Sequence, residues 1–245
     1  ARGGRPPLVE RSCRGRVIMI NPRSGFGLIE LMVALALGML VVLGMTQIFS
    51  SSREAYLSQR SSARLQEDAR YVLSKLAREI RMAGMFGCLS VDRIVDAPSV
   101  FKTPVSWQRG VLRMISSDVA LQAAKPDWTV VSDCTSFARA YPGARSFLAP
   151  GETAFPVREL FYRHEHGQLK IGPNKAVLLD NVAAFDVSFG VAGTAGSHSV
   201  LRYESRLVKG SSLRSIRIGL TLRDRAGRVK DQVYQLEIAL RNRLA

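Results

Sequence analysis

Only a few residues in this 245-residue chain have types and spacing that could support chemistry. His164, Glu165 and His166 place two imidazoles around one carboxylate. On a strand the two His side chains would share a face, but two ligands without a third make a weak metal site. We therefore interpret this cluster as polar surface residues, and we predict neither a metal site nor a cofactor.

The patterns that accompany nucleophilic catalysis and phosphate binding are also missing from the sequence. The chain has three His, no Cys–His pair and no Ser-centred motif. It has no glycine-rich phosphate loop. We therefore expect a non-catalytic protein. A membrane-tethered enzyme would need a cleft that gathers titratable groups, and the sequence names no such groups.

The excess of basic residues suggests an anionic partner. The 35 Lys plus Arg against 20 Asp plus Glu give a formal charge of +15. A basic domain could bind DNA through its phosphates, but here the arginines are dispersed and only the fold could gather them. A solvated surface is the favoured interpretation, and nucleic-acid binding stays open. The residues concerned are Arg139, Arg145, Arg158, Arg163, Arg202, Arg206, Arg214, Arg217 and Arg223.

The most unusual ionisable residue is Glu30, the only charge in the apolar run 26–49. As a helix this run spans roughly 36 Å, enough to cross a hydrocarbon core of about 30 Å. Its centre, 31–45, has no charged residue on any face, whereas a soluble helix usually shows one. We therefore predict a membrane-spanning segment. A carboxylate inside such a segment is costly and by default marks a functional site with a partner.

Beyond this run the pattern becomes that of an amphipathic helix. Apolar residues recur at helical spacing, and no Pro occurs between Pro22 and Pro98. Gly84 and Gly87 suit a helix C-terminus. The sequence predicts one helix with a membrane half, 26–49, and an amphipathic half, 50–87. The predicted apolar stripe is Leu65, Ala69, Val72, Leu73, Leu76, Ile80 and Ala83.

The remainder, 88–245, is predicted to be a globular domain built on an antiparallel sheet. Segments 185–189, 216–223 and 234–241 alternate apolar and polar residues with period two, as in a sheet covered on one face. The polar turn 224–231 makes the last two a hairpin. The fold class is therefore α+β, with the amphipathic half of the helix packed on the sheet. Weaker strands are expected at 157–162 and 175–179, and loops with short strands at 88–155 and 190–212.

A short motif stands at the start of the apolar run, Arg23-Ser24-Gly25-Phe26-Gly27-Leu28-Ile29-Glu30-Leu31-Met32. It resembles the class III leader of type IV prepilins and type II secretion pseudopilins, whose consensus is Gly, Phe, a small residue, Leu, Ile and Glu. Gly27 stands where that family usually has Thr or Ser, a departure that does not touch the cleavage site. An ordinary secretory signal cleaved after Gly44 is the alternative. Such a signal is followed by a polar break with small residues, whereas here the helical pattern continues without one.

The resemblance implies how this segment is processed. A prepilin peptidase would cleave between Gly25 and Phe26 on the cytoplasmic side and leave an N-methylated, cationic amine on Phe26. Glu30 of one subunit would then pair with the Phe26 ammonium of a neighbour and set their register. Residues 1–25 would be a leader, with Met19 as the candidate start and 1–18 an upstream extension or remnant.

The same resemblance implies a topology and a state for the cysteines. Arg23 would hold the N-terminus in the cytoplasm, so that the C-terminal domain lies in an oxidising compartment. Cys13, six Arg and one Glu would leave with the leader, reducing the formal charge from +15 to +10. Cys88 and Cys134 would remain as a candidate disulfide worth roughly 4 kcal/mol on the chain-entropy model. Two independent buried thiols are the alternative.

Two further stretches resemble PilW-type minor pilins, namely 78–88 at the predicted helix exit and the terminal hairpin 216–243. The implied function is a minor pilin that primes or caps type IV pilus assembly. Its partners would be other minor and major pilins, through the N-terminal helix, and the inner-membrane assembly platform. It would lie in the bacterial inner membrane as a single-pass protein with a periplasmic domain, and then at the pilus tip. The alternatives are a minor pseudopilin of type II secretion and a DNA-binding tip pilin for DNA uptake.

Overall fold

The computed structural model describes residue 25 and residues 27–117, 125–193, 199–208 and 211–244. In these ranges one long helix precedes eleven strands that pair antiparallel, which confirms the predicted α+β class. The chain divides into two compact units, 1–53 and 54–245, and each is described by itself.

In the first unit, the described chain is the first part of helix α1 (Leu28–Met82). All its side chains from Gly27 to Arg53 are exposed, although most of those up to Phe49 are apolar. By length and composition this helix can cross a membrane. A helix satisfies its backbone hydrogen bonds internally, so apolar side chains without a protein core around them suit a lipid environment.

In the second unit, α1 continues to Met82 and presents the predicted apolar stripe to the interior. Leu76 and Ile80 are fully buried, whereas Arg70 and Arg78 on the other faces are exposed. The stripe predicted from spacing is confirmed. Its buried members are Leu65, Ala69, Val72, Leu76, Ile80 and Ala83, with Leu73 half-buried.

A seven-stranded sheet, called sheet A, occupies the first part of the domain. The strands follow the order β1-β2-β5-β3-β4, and β6 and β7 extend the sheet from the second half of β5. The region 88–155, expected to be loops with short strands, contributes four short strands to a sheet separate from the predicted one. The strands are β1 (Val105–Gln108), β2 (Val111–Ser117), β3 (Trp128–Ser132), β4 (Ala138–Pro142), β5 (Thr153–Glu165), β6 (Gln168–Ile171) and β7 (Ala176–Leu179).

A four-stranded sheet, called sheet B, holds all three strongly alternating segments. The order is β11-β10-β8-β9, and β10 and β11 form the predicted hairpin, with Ile216 opposite Ile238. The Asp224 carboxylate accepts the Arg228 N–H at 2.8 Å and closes the polar turn. The strands are β8 (Val182–Val191), β9 (Arg202–Glu204), β10 (Leu213–Leu222) and β11 (Gln232–Leu244).

Two hydrophobic cores hold the domain together. The larger core joins the helix stripe to the inner faces of both sheets, including Met114 of β2, Phe189 of β8 and Ile218 of β10. The smaller core lies on the other face of sheet A, under two 3₁₀ turns (Val91–Arg93 and Ser99–Lys102). There the Phe86 and Phe101 rings stack with their centroids 4.0 Å apart. Sheet A is therefore covered on both faces.

Candidate functional site

The candidate assembly site begins at the N-terminus of α1, where Glu30 is the third helical residue. Its Oε2 accepts a hydrogen bond from the Gly27 N–H at 3.0 Å. The Gly27 carbonyl in turn accepts the N–H groups of Glu30 and Leu31 at 3.1 and 3.2 Å. This is one half of a capping box, in which a carboxylate at the third helical position satisfies the N–H of the capping residue.

Only half of the capping box is present because the capping residue is a glycine, Gly27. A Thr or Ser at this position would add a side-chain oxygen for the first-turn N–H groups, and Gly has none. The carboxylate has a second oxygen, Oε1, which accepts no hydrogen bond from any residue that the structure describes. Glu30 is thus held close to the helix start with one acceptor oxygen available.

The remaining residues predicted for processing lie on the N-terminal side of this cap. Gly25 is exposed, as a peptidase substrate must be. Phe26, the predicted methylation site, and residues 1–24, with Met19 and Cys13, lie outside the described residues. The structure therefore places Glu30 and Gly25, and it leaves the predicted roles of Gly25, Phe26 and Glu30 as predictions.

Cys88 and Cys134 form a disulfide in the structure, with their Cα atoms 5.1 Å apart. Cys88 follows the exit of α1, and Cys134 lies in the turn between β3 and β4. The two cysteines are 46 residues apart in sequence. On the chain-entropy model, closing a loop of this length stabilises the folded state by roughly 4 kcal/mol. It fastens the helix exit to sheet A.

The turn that carries Cys134 is ordered by its own side chains, which sequence reasoning missed. Asp133 Oδ1 accepts the N–H groups of Thr135, Ser136 and Phe137 at 2.8 to 2.9 Å. These bonds, with one from the Ser136 hydroxyl, hold the pKa of the Asp133 carboxyl well below its usual range. Asp followed by Ser or Thr is a common turn signal, so the Asp-Cys-Thr-Ser segment could have indicated it.

A partly buried polar network joins the amphipathic half of α1 to sheet A, and it too was missed. The hydroxyl of Tyr162 on β5 donates to Glu79, whose other oxygen accepts the Lys75 ammonium at 2.7 Å. Burial raises the pKa of the Tyr162 hydroxyl, and the neighbouring Glu79 carboxylate raises it further. Tyr162 therefore stays protonated and acts as a donor that fixes the helix on the sheet.

The two His side chains of the His-Glu-His cluster lie in different environments. His164 Nε2 lies 3.0 Å from the Val182 carbonyl, whereas His166 is exposed in the following turn with a positive φ of 53°. Strand β5 ends at Glu165, so the shared strand face considered from sequence does not form. Within the described ranges no group of three His, Cys, Asp or Glu could hold a metal ion, and His198 lies outside them.

The positive charges of some of the dispersed arginines are balanced by nearby carboxylates. Four of the nine form ion pairs with carboxylates on either sheet or in the loops beside them. Arg145 and Arg217 also lie over the rings of Tyr141 and Tyr203, at 3.9 and 3.5 Å from the centroids. The four ion pairs are Arg139–Asp96, Arg202–Glu204, Arg217–Glu237 and Arg223–Asp231.

Comparison with known proteins bears on the N-terminal segment alone. Residues 20–46 match the family model described as the prokaryotic N-terminal methylation motif. No curated protein and no solved structure shows a significant match to the chain. The matched segment contains Gly25, Phe26 and Glu30 and enters the apolar part of α1. With that helix it supports anchoring in a membrane and suggests a structural, non-catalytic protein. The motif supports a type IV pilin-like protein, a description that covers pilins and pseudopilins, and the apolar helix and antiparallel sheets are consistent with that fold.

Proposed function

We propose that this chain is a minor pilin that primes or caps the assembly of a type IV filament. The observation that carries the proposal is the methylation motif at 20–46, which runs directly into an apolar helix whose described side chains up to Arg53 are exposed. A helix of this kind gains cohesion by bundling with like helices. The resemblance of 78–88 and 216–243 to PilW-type minor pilins favours the minor role.

The proposed processing creates the charge that Glu30 needs as a partner. Cleavage between Gly25 and Phe26 exposes an α-amino group, and methylation keeps it cationic. The available Oε1 of Glu30 can accept a hydrogen bond from the ammonium of a neighbouring subunit, while Oε2 keeps its hydrogen bond from the Gly27 N–H. In a low-dielectric bundle a mispaired carboxylate is heavily penalised, so the pair sets register even where its net stabilisation is small.

The proposed location follows from the same segment. Basic residues before the apolar run favour the cytoplasm, so the domain would lie in the periplasm of a bacterial inner-membrane protein and later at the filament tip. The disulfide between Cys88 and Cys134 is compatible with that oxidising compartment. Other minor and major pilins, the prepilin peptidase and the assembly platform are the proposed partners.

A minor pseudopilin of a type II secretion system is the second candidate, because the methylation motif is shared by both systems. The same processing and the same Glu30 pairing apply to it. Measuring surface filaments and protein secretion in a strain that lacks this chain separates the two: loss of filaments favours the pilus, and loss of secretion alone favours the pseudopilus.

The first prediction tests Glu30 directly. Glu30→Ala removes the carboxylate but leaves Gly25 and Phe26, so we expect normal cleavage and methylation with loss of the chain from filaments. Mass spectrometry of the mature N-terminus reports processing, and immunoblotting of sheared filaments reports incorporation. Glu54→Ala, which removes an exposed carboxylate beyond the apolar run, is the matched control. Incorporation of Glu30→Ala at the wild-type level would rule out the pairing.

A further inference from the structure

A groove of about 1470 Å³ runs along the free edge of sheet A. One wall is strand β1 with the turn that follows it. The other wall is formed by the residues that follow β9, namely Arg206, Leu207 and Val208. All of these residues belong to the unit 54–245. The groove is larger than a typical small-molecule pocket, and its length follows a strand.

Strand β1 offers unused backbone hydrogen-bonding groups to this groove. Among the described strands it pairs with β2 alone. The Pro104 carbonyl accepts the Ile115 N–H, and Ser106 lies opposite Arg113, so these positions face β2. Because backbone groups alternate between the two edges of an antiparallel strand, the N–H and C=O groups of Val105 and Trp107 face the groove. An open edge of this kind is a template for an added strand.

The sides of the groove are apolar and partly aromatic. Trp107 is half-buried, whereas Leu207 and Val208 on the facing wall are 36% and 62% exposed. The Trp107 ring also contacts Phe185 of sheet B edge to face, with centroids 5.8 Å apart, which fixes its orientation. Apolar side chains of a ligand would find preformed contacts here.

The charged side chains among the described residues that line the groove are all positive. Lys102, Arg109 and Arg206 are exposed and form no ion pair with any residue in the described ranges. Arg113 is already engaged, with Nη1 3.0 Å from Glu159 and Nη2 2.9 Å from the Thr103 carbonyl. No Asp or Glu is among the described lining residues. The rim therefore favours carboxylates on the ligand.

We propose that this groove binds an extended acidic segment of a partner protein, which adds as a strand to the edge of β1. Backbone bonds from Val105 and Trp107 would hold the segment, the three rim cations would pair with its carboxylates, and its apolar side chains would lie against Trp107. A nucleic-acid backbone offers no alternating N–H and C=O groups to a strand edge. A second copy of this chain, with a formal charge of +15, is a poor source of acidic segments.

The test uses the full chain in nanodiscs of zwitterionic lipid and a labelled, end-capped peptide of sequence Asp-Val-Glu-Val-Asp-Val. We expect saturable binding that weakens about tenfold or more in the Lys102→Glu/Arg206→Glu double variant. Arg225→Glu/Lys230→Glu makes the same charge change in the β10–β11 turn and should bind as the wild type does. Equal weakening in both double variants would show that net charge alone is sensed, which overturns the proposal.

A backbone-modified peptide tests the strand addition itself. N-methylation of two adjacent central residues blocks both edges of the peptide but keeps every side chain and charge. We expect this peptide to bind about tenfold or more weakly than its parent. Equal binding of the two peptides overturns the proposal, as does preferential binding of a single-stranded oligonucleotide or self-association of the chain through this edge. None of these outcomes affects the assembly role of Glu30, which is measured separately.

Discussion

At the residue scale, the side chains that order this protein are short-range acceptors of backbone N–H groups. Glu30 does this at the start of α1 and Asp133 does it beside the disulfide. In each case a carboxylate holds a local backbone conformation: the first turn of α1 at Glu30, and the turn that carries Cys134 at Asp133. The Asp133 interaction has a consequence for stability that depends on pH.

We predict that Asp133→Asn destabilises the domain at neutral pH and that the difference becomes smaller in acid. Asn keeps an acceptor for the three N–H groups but loses the charge and the bond to the Ser136 hydroxyl. Because the folded-state pKa of Asp133 is depressed, its contribution is fully present above the unfolded pKa of about 4 and is lost as pH falls through the folded value. Urea unfolding of the two proteins from pH 7 to pH 2 gives the comparison. A difference that stays constant over this range would contradict the assignment.

At the element scale, the exit of α1 depends on a left-handed glycine. Gly84 has a φ of 76°, and its N–H donates to the Ile115 carbonyl of β2 at 2.9 Å. The helix ends at Met82, two residues before this glycine, and the chain then turns toward Cys88. The helix end, the sheet and the disulfide therefore depend on one backbone conformation.

Gly84→Ala should lower the free energy of unfolding by about 1–2 kcal/mol, because a Cβ is penalised in the left-handed region. Gly219→Ala on β10 is the matched control, since its added Cβ would meet Asp186 Cβ at 3.6 Å, an ordinary contact, and its φ is not in that region. Tryptophan fluorescence during urea unfolding reports both, through Trp107 and Trp128. A change for Gly84→Ala no larger than that for Gly219→Ala would contradict this account of the helix exit.

Sequence pattern predicted clearly those strands that have one buried face, and predicted only weakly or missed the strands of the doubly covered sheet A. β10 alternates strictly, with Ile216, Ile218 and Leu220 toward the core, and the sequence shows it. On β2, Met114 enters the larger core and Ile115 the smaller one, so both faces are apolar and no alternation signals a strand. The weaker strands expected at 157–162 and 175–179 correspond to β5 and β7 of sheet A, whereas its other strands became evident only with the layers that cover them.

The candidate site divides in the same way. Gly25, Phe26 and Glu30 are close in sequence, and a motif of about ten residues was enough to name them. The groove beside β1 could not be predicted, because Arg206 and Trp107 are about a hundred residues apart and meet only through the packing of the two sheets.

At the scale of the whole molecule, a single helix serves two environments. Its described side chains up to Arg53 are exposed, whereas its later stripe forms part of the domain core. The same residue type should therefore contribute to domain stability in one half of the helix and not in the other. Leu40 and Leu76 allow the comparison, being 65% and 0% exposed in the two halves.

We predict that Leu76→Ala lowers the free energy of unfolding of the domain by roughly 2–5 kcal/mol, because it leaves a cavity between the helix and the sheets. Leu40→Ala removes the same atoms from a position without protein neighbours in its own unit, so the urea midpoint of the domain should not move. Both variants are measured in nanodiscs by the fluorescence of Trp107 and Trp128, which report on the domain alone. Equal shifts for the two substitutions would mean that the membrane half supports the domain core. A shift of the urea midpoint for Leu76→Ala alone would show that residues in the membrane half do not contribute to domain stability. Their sequence could then be selected for helix bundling alone.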